Sequence, residues 1–486
     1  MSISKTPRLG LWSAQIFRVR PRFPMTKLET LLKRADDNLP SSLDKLFALL
    51  RIPSISTDPA YREKCAEAAD WLVGELKTLG FAATAYTTKG HPMVVGTSEN
   101  APEGAPHVLF YGHYDVQPVD PLELWESDPF APEIRDAGNG RKIITGRGTS
   151  DDKGQLMTFL QACRAYREEN AELPVKITVM FEGEEESGSP SLPAFIEEHG
   201  DLIKADFALV CDTGMWDRET PAIAATLRGL VGDEVVITAA DRDLHSGFFG
   251  GAAANPIHIL ADILAGLHDE TGRVTLPGFY DGVEETPEDV KKSWEQLGET
   301  DQRFLGEIGL SVPSGEKGRS VLELTWTRPT AEVNGITGGY TGEGFKTVIA
   351  AKASAKVSFR LVGTQDPVKI RESFRAYVSS KIPEDCSVEF HPHGGSPAIH
   401  LDYNAPFLKK AQTALSEEWP KPAVVIGMGG SIPIVGDFQR KLGMDSLLVG
   451  FGLNDDRIHS PNEKYELTSF HKGIRSWIRI LDALAK

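Results

Sequence analysis

Five short segments carry residue types that can do chemistry. They are residues 111–115 (YGHYD), 146–154 (GRGTSDDKG), 182–189 (EGEEESGS), 211–213 (CDT) and 457–461 (RIHSP). Taken singly, each has an ordinary explanation. A His-x-Asp is a common turn pair, Glu184 to Glu186 reads as a solvated acidic turn, and His459 alone reads as structural. Asp152 reads as the N-cap of the helix that follows, because a carboxylate there satisfies orphan amides. The conjunction changes the reading. Several carboxylates and two histidines crowded away from water would repel strongly, and divalent cations remove that cost. Two imidazoles with carboxylates and no thiolate suit Zn²⁺, Mn²⁺ or Co²⁺, whereas a Ca²⁺ site would use oxygen alone. An acid left over from the ligand count can serve as general base on water.

Such residues need elements to bring them together. Helical apolar spacing runs over 43–50, 66–79 and 153–167, and strand patterns over 81–86, 108–111, 175–181 and 207–211. Strands alternating with helices predict an α/β fold, a mixed sheet flanked by helices. Four of the five segments follow apolar strands or glycine turns. In open α/β sheets the strand carboxyl ends form the ligand crevice, so sequence-distant segments are expected to converge on one edge. The texture changes after Pro221. Strands over 233–239 and 352–361, with helices over 256–267 and 368–381, suggest a small α+β domain inserted into the first, and a Glu-, Gly- and Pro-rich stretch runs over 278–318. The expected organisation is an extension over 1–24, a first catalytic part over 25–221, an insert over 222–395 and a second catalytic part over 396–486.

Composition narrows the function classes. The chain has 486 residues, too many for one ordinary core. Its 52 Lys and Arg against 69 Asp and Glu leave a formal net charge of −17, which argues against nucleic acid as a partner. No apolar run reaches the length of a membrane span. Cys65, Cys163, Cys211 and Cys386 are scattered with no CxxC pair, so a reducing, cytoplasmic setting is expected. Lys5, Arg8, Arg18, Arg20 and Arg22 stand in an acid-free start. It is read as an extension upstream of a start at Met25, with a transit peptide as the alternative.

The motifs YGHYDVQP, GRGTSDDKG, EGEEESGS, DLHSGFFGG, GGSIP and HSPNEK occur in one order along the chain. In this the sequence resembles the M20 metallopeptidase family, and within it the cytosolic non-specific dipeptidase and carnosinase-like branch, from about Leu43 to the C-terminus. The resemblance implies a two-metal catalytic domain with an inserted lid or dimerisation domain, and a homodimer. It implies that His113 and Asp212 bind one metal, that Glu186 and His459 bind the other, and that Asp151 bridges both. Zn²⁺ is the first expectation for the two ions, with Mn²⁺ or Co²⁺ as alternatives. Asp115 would orient His113. Glu185 would be the general base that takes a proton from metal-bridged water and returns it to the departing amine. His245 would steady the oxyanion in the partner subunit's site. Arg360 would grip the substrate carboxylate, with Thr347 and Ser431 as further contacts. One departure from the family pattern is Ala350, where a proline is expected after KTVI; it bears on local loop shape.

The function implied is hydrolysis of dipeptides or short peptides. The alternative is deacylation or desuccinylation of N-acyl amino acids on the same two-metal site. A silent binding protein that kept the cage would be expected to lack the base or a ligand, and here Glu185 and all five ligand positions are present.

Overall fold

The computed structural model describes residues 1, 27–98, 100–430 and 432–486. The expected extension over 1–24, Met1 apart, and Ser431 lie outside the described residues.

Apolar runs with no polar face must be covered on both sides, and they make the centre of a nine-stranded sheet. The strand His107–His113 lies parallel to both Lys176–Glu182 and Phe207–Val210, and Phe207–Val210 lies parallel to Asp445–Val449. Antiparallel partners complete the sheet on either side: Phe81–Tyr86 and Met93–Ser98 flank one edge, and Ala222–Leu227 pairs Asp445–Val449 on the other. The expected mixed α/β sheet is therefore present. The helices Lys153–Glu168 and Leu467–Leu484 cover one face. Phe159 stacks on Phe110 with centroids 3.7 Å apart, and Trp477 meets both rings edge-on at 5.5 Å. That packing anchors the central strand three residues before His113.

A four-stranded antiparallel sheet stands apart, in the order Thr330–Gly338, Lys352–Leu361, Gly229–Thr238, Ser387–Ser396. The helices Pro256–Ala265 and Pro367–Ser380 cover it and close a separate core around Val235, Phe359 and Phe374. The strand Lys352–Leu361 alternates inward and outward as its sequence alternates. The chain leaves the large sheet between Leu227 and Gly229 and returns between Ser396 and Ile399. The strand Ala222–Leu227, placed by sequence in the insert, pairs within the large sheet. The Glu-, Gly- and Pro-rich stretch likewise contributes Val290 and Trp294 to the large core, where the Trp294 indole donates to the Val425 carbonyl at 2.8 Å. A tryptophan and a valine at helical spacing buried there explain why that stretch is anchored.

A three-stranded sheet, Lys464–Glu466 with Arg141–Thr145 and Glu133–Gly138, was not anticipated from the sequence. It joins the C-terminal loop to the turn that carries Asp151.

Candidate metal centre

The parallel strands deliver their ends to one edge. His113 closes its strand, Glu182 lies beside it in register, and Asp212 follows two residues after Val210. The loop after Asp445–Val449 carries His459. Asp151 arrives from the turn ahead of Lys153–Glu168.

The His113 Nε2 atom lies 3.1 Å from Asp151 Oδ1 and 4.0 Å from Asp212 Oδ2. Its Nδ1 faces the Asp115 backbone carbonyl at 3.1 Å and the Asp115 carboxylate at 3.4 Å. Both are acceptors, so they hold a hydrogen on Nδ1 and leave Nε2 as the atom that can face a cation. The Asp115 oxygens also accept from the backbone amides of Glu185 at 3.2 Å and Glu186 at 3.0 Å. One carboxylate thus orders the imidazole and the short helical turn Glu185–Ser187 together.

The other oxygen of Asp151 faces the second histidine. Asp151 Oδ2 is 3.0 Å from His459 Nε2, which is 3.2 Å from Glu186 Oε2. The result is two groups, His113–Asp151–Asp212 and Asp151–Glu186–His459, each with its ligand atoms within 4.8 Å of one another. They share only Asp151, and each uses a different oxygen of it.

The electrostatics fit a pair of divalent ions. Burial, with the carboxylates of Asp151, Glu185 and Glu186, pushes Asp212 up to about 8 against the pull of His113. Hydrogen bonds to Asp151 and Glu186 raise His459 to about 10. Burial would raise Asp151, but the bonds from His113 and His459 hold it below its ordinary range. Burial raises Glu185, and Glu186, Asp115 and Asp151 add to this against His113. Carboxylates held up while histidines cling to protons are short of positive charge, and a cation at each group would supply it. Two imidazole nitrogens with carboxylate oxygens suit a borderline ion such as Zn²⁺.

Residues 109–483 match the model of peptidase family M20/M25/M40. The chain belongs to the M20 peptidase family. It is 31% identical to the Cys-Gly metallodipeptidase DUG1 of Candida albicans over 469 residues, 92% of this chain and 96% of that one. It is 28% identical to the human Beta-Ala-His dipeptidase over 379 residues, 76% of this chain and 73% of that one. Among solved structures it is similar to the M20 family metallo-carboxypeptidase Sso-CP2 of Sulfolobus solfataricus (TM-score 0.74, 32% identity, 91% of this chain and 99% of that one). It is also similar to the di-peptidase Dug1p of Saccharomyces cerevisiae (TM-score 0.72, 26% identity, 94% of this chain and 98% of that one).

In this M20 chain Asp152 does not cap its helix. No side-chain cap bond is made; instead Asp152 is buried and its Oδ2 accepts from the His113 amide at 3.1 Å.

Arg360 and His245 lie on the smaller sheets, with Thr347 just ahead of the strand Val348–Ile349, and among the described residues His245 belongs to neither metal group. Exposed His245 pairs Val348, and its Nδ1 accepts from the Gly247 amide at 3.0 Å. The Thr347 carbonyl accepts from the Ser246 amide at 3.1 Å. Arg360 pairs Thr330 and Leu230. Burial and the nearby Arg360 charge push Arg228 down to about 10. Arg228 donates through Nε to the Gly429 carbonyl at 3.3 Å, so it spans from Arg360 toward the GGSIP loop.

Sequence reasoning passed over Gln117, whose Nε2 donates to Glu186 Oε2 at 2.6 Å, and the buried pair Arg147–Glu463. All three sit inside motifs already singled out. Arg228 lies outside them and carried no signal beyond its charge.

Proposed function

We propose that the chain is a two-metal dipeptidase of the M20 family. In this reading His113 and Asp212 hold one ion, Glu186 and His459 hold the other, Asp151 bridges, and Zn²⁺ is the natural occupant. The observation that carries it is the placement of Asp151, with one oxygen 3.1 Å from His113 and the other 3.0 Å from His459. When bound, a cation pair at this edge acidifies water and polarises an amide carbonyl. Glu185 takes the proton of the attacking water and hands it to the departing amine nitrogen. Burial raises its carboxyl above the ordinary range, the direction that helps it hold the proton between the two transfers. Asp115 keeps Glu185 and His113 aligned through its bonds to both.

Arg360 offers a guanidinium fork to the substrate carboxylate, with Thr347 and Ser431 as polar contacts. His245 accepts at Nδ1, so a neutral ring carries its hydrogen on Nε2 and can donate to a developing oxyanion. We read the four-stranded sheet as a lid and dimerisation domain, with His245 serving the site of a second copy. Phe248, 81% exposed, and Phe345, 92% exposed, lie on the same domain and suit burial against a partner.

The substrate is a small peptide. Cys-Gly is the first to test, since the yeast relatives are named for it, and β-Ala-His is the second. Deacylation of N-acyl amino acids is disfavoured, because the relatives matched over most of the chain are dipeptidases by name. Among the described residues no helix is long and apolar enough to cross a membrane. The four cysteines are unpaired, and a cytoplasmic setting is the reading we adopt. Assaying a dipeptide beside its N-acetyl form tests the proposal. Faster turnover of the free dipeptide is expected, and preference for the acetylated compound would overturn it.

A further inference from the structure

Glu463 has no place among the ligands, yet it is fully buried and its carboxylate is saturated by donors from the turn that carries Asp151. Oε2 accepts from Arg147 Nη1 and the Gly148 amide, both at 2.8 Å. Oε1 accepts from the Ser150 amide at 2.8 Å and the Asp151 amide at 3.1 Å. Such a carboxylate clamps three backbone amides of one turn, and it meets the cage only at the backbone of Asp151. Four residues before it in the chain is His459.

The loop that carries both makes left-handed turns. Arg457, His459 and Asn462 have φ of 57°, 59° and 63°, values uncommon outside glycine though His and Asn adopt them more readily than Arg, and here their surroundings hold them. The surroundings here are bonds to neighbouring loops. The Gly146 amide donates to the Glu463 carbonyl at 3.1 Å, and Ser150 Oγ donates to Asp456 Oδ2 at 2.8 Å. Asn462 accepts from the Glu126 amide at 2.7 Å and donates to the Leu124 carbonyl at 2.9 Å. Arg147 adds a third strap. Its Nη2 donates to the Pro118 carbonyl at 3.0 Å, and its guanidinium lies 5.3 Å from the Trp125 ring. The three loops that carry His113 and Gln117, Asp151, and His459 therefore meet at one buried ion pair.

We propose that Glu463 is a positioning residue that sets Asp151 against His459, so that the second cation position is assembled by the protein before any metal arrives. The inference rests on the two-metal reading for its purpose. Its geometry consists of bonds from Glu463 to Arg147 and to backbone amides, none of them a candidate ligand atom, so the two can fail separately.

The first test is amide hydrogen exchange on the full-length metal-free chain. The amides of Gly148, Ser150 and Asp151 should be protected before Zn²⁺ is added and gain little afterwards. Fast exchange that slows only with Zn²⁺ would overturn the inference, because the metal would then be doing the assembly. The second test is Zn²⁺ titration of two variants against a competing indicator. Glu463→Gln presents an amide group to backbone donors and should weaken binding of one equivalent about 10–100-fold. Arg147→Lys keeps the acceptor for all three amides and should leave Zn²⁺ affinity within about threefold of the parent while lowering the melting temperature. Equal affinity losses in both variants would mark the pair as general scaffolding and sink the proposal. If Glu463→Gln fails to fold, the exchange experiment on the parent chain decides. If the parent chain binds fewer than two Zn²⁺, the dinuclear reading falls, while the exchange result still judges the role of Glu463.

Discussion

The cage at the edge of the large sheet and the residues on the smaller sheets are built by opposite rules. His113 is buried at a strand end, pinned by Asp115, and the five candidate ligands meet within one chain. Arg360 belongs to the four-stranded sheet, whose core is separate, while His245 and Thr347 lie at the two-residue strand pair Leu244–His245 with Val348–Ile349. A cage must be rigid to hold cations at fixed separation. In the reading proposed above the other residues grip substrate, and a grip must open to admit and release its cargo. The same contrast recurs inside the cage, where the His113 side chain is 0% exposed and that of His459 is 55% exposed.

The sharpest way to probe this division is to disable each side. Glu185→Gln should lower kcat by about 10²–10⁴ while both metal equivalents remain, measured by turnover beside metal analysis. Retained activity would remove Glu185 from the chemistry. His245→Ala should lower kcat by about 10²–10³ with metal content unchanged. Mixing the Glu185→Gln and His245→Ala proteins under conditions that exchange subunits should restore part of the activity, because one hybrid site then holds an intact base and an intact histidine. No recovery in verified hybrids would break the assignment of His245 to a partner's site.

Metal removal should separate the regions thermally. Zn²⁺ at a hundred times its dissociation constant stabilises a site by about 2.7 kcal/mol, and calorimetry of chelated against reloaded protein should show that increment. Protection of the four-stranded sheet in hydrogen exchange should change little.

The smallest effect concerns the scaffold. Buried Glu418 accepts from Arg475 at 2.8 Å and Arg479 at 2.9 Å, joining the helices Pro406–Glu418 and Leu467–Leu484. Burial would raise its carboxyl, but these bonds hold it below the ordinary range. A depressed carboxyl adds stability above its unfolded pKa and loses it as pH falls through the folded value. Glu418→Gln should therefore cost about 1–3 kcal/mol near neutral pH and progressively less in acid, without changing kcat. A melting-temperature difference that persists unchanged at low pH would contradict the charge assignment.

How far the sequence could be read depended on how local each signal was. Alternation over Lys352–Leu361 reports one buried face, and the apolar run ending at His113 reports a strand buried on both sides; each is written within about ten residues. Four of the five candidate ligands, His113, Asp151, Glu186 and His459, sit in short motifs and were legible for the same reason, whereas Asp212 lies outside all six. The turn of Asp152 toward the His113 amide and the pairing of Ala222–Leu227 with the large sheet join residues far apart in the chain, and no local pattern announces them.

The amino-acid sequence by itself determined the candidate ligand types, the spare acid beside them, the acidic net charge, and the alternation of strand and helix. Tertiary structure alone decided that Asp151 offers one oxygen to each histidine, and that Glu463, 312 residues further along, holds the backbone that makes this possible. The reason is physical. Side-chain chemistry and periodicity are properties of short stretches, whereas a distance of 3 Å between loops is set by how whole sheets pack and by which buried polar groups must find partners.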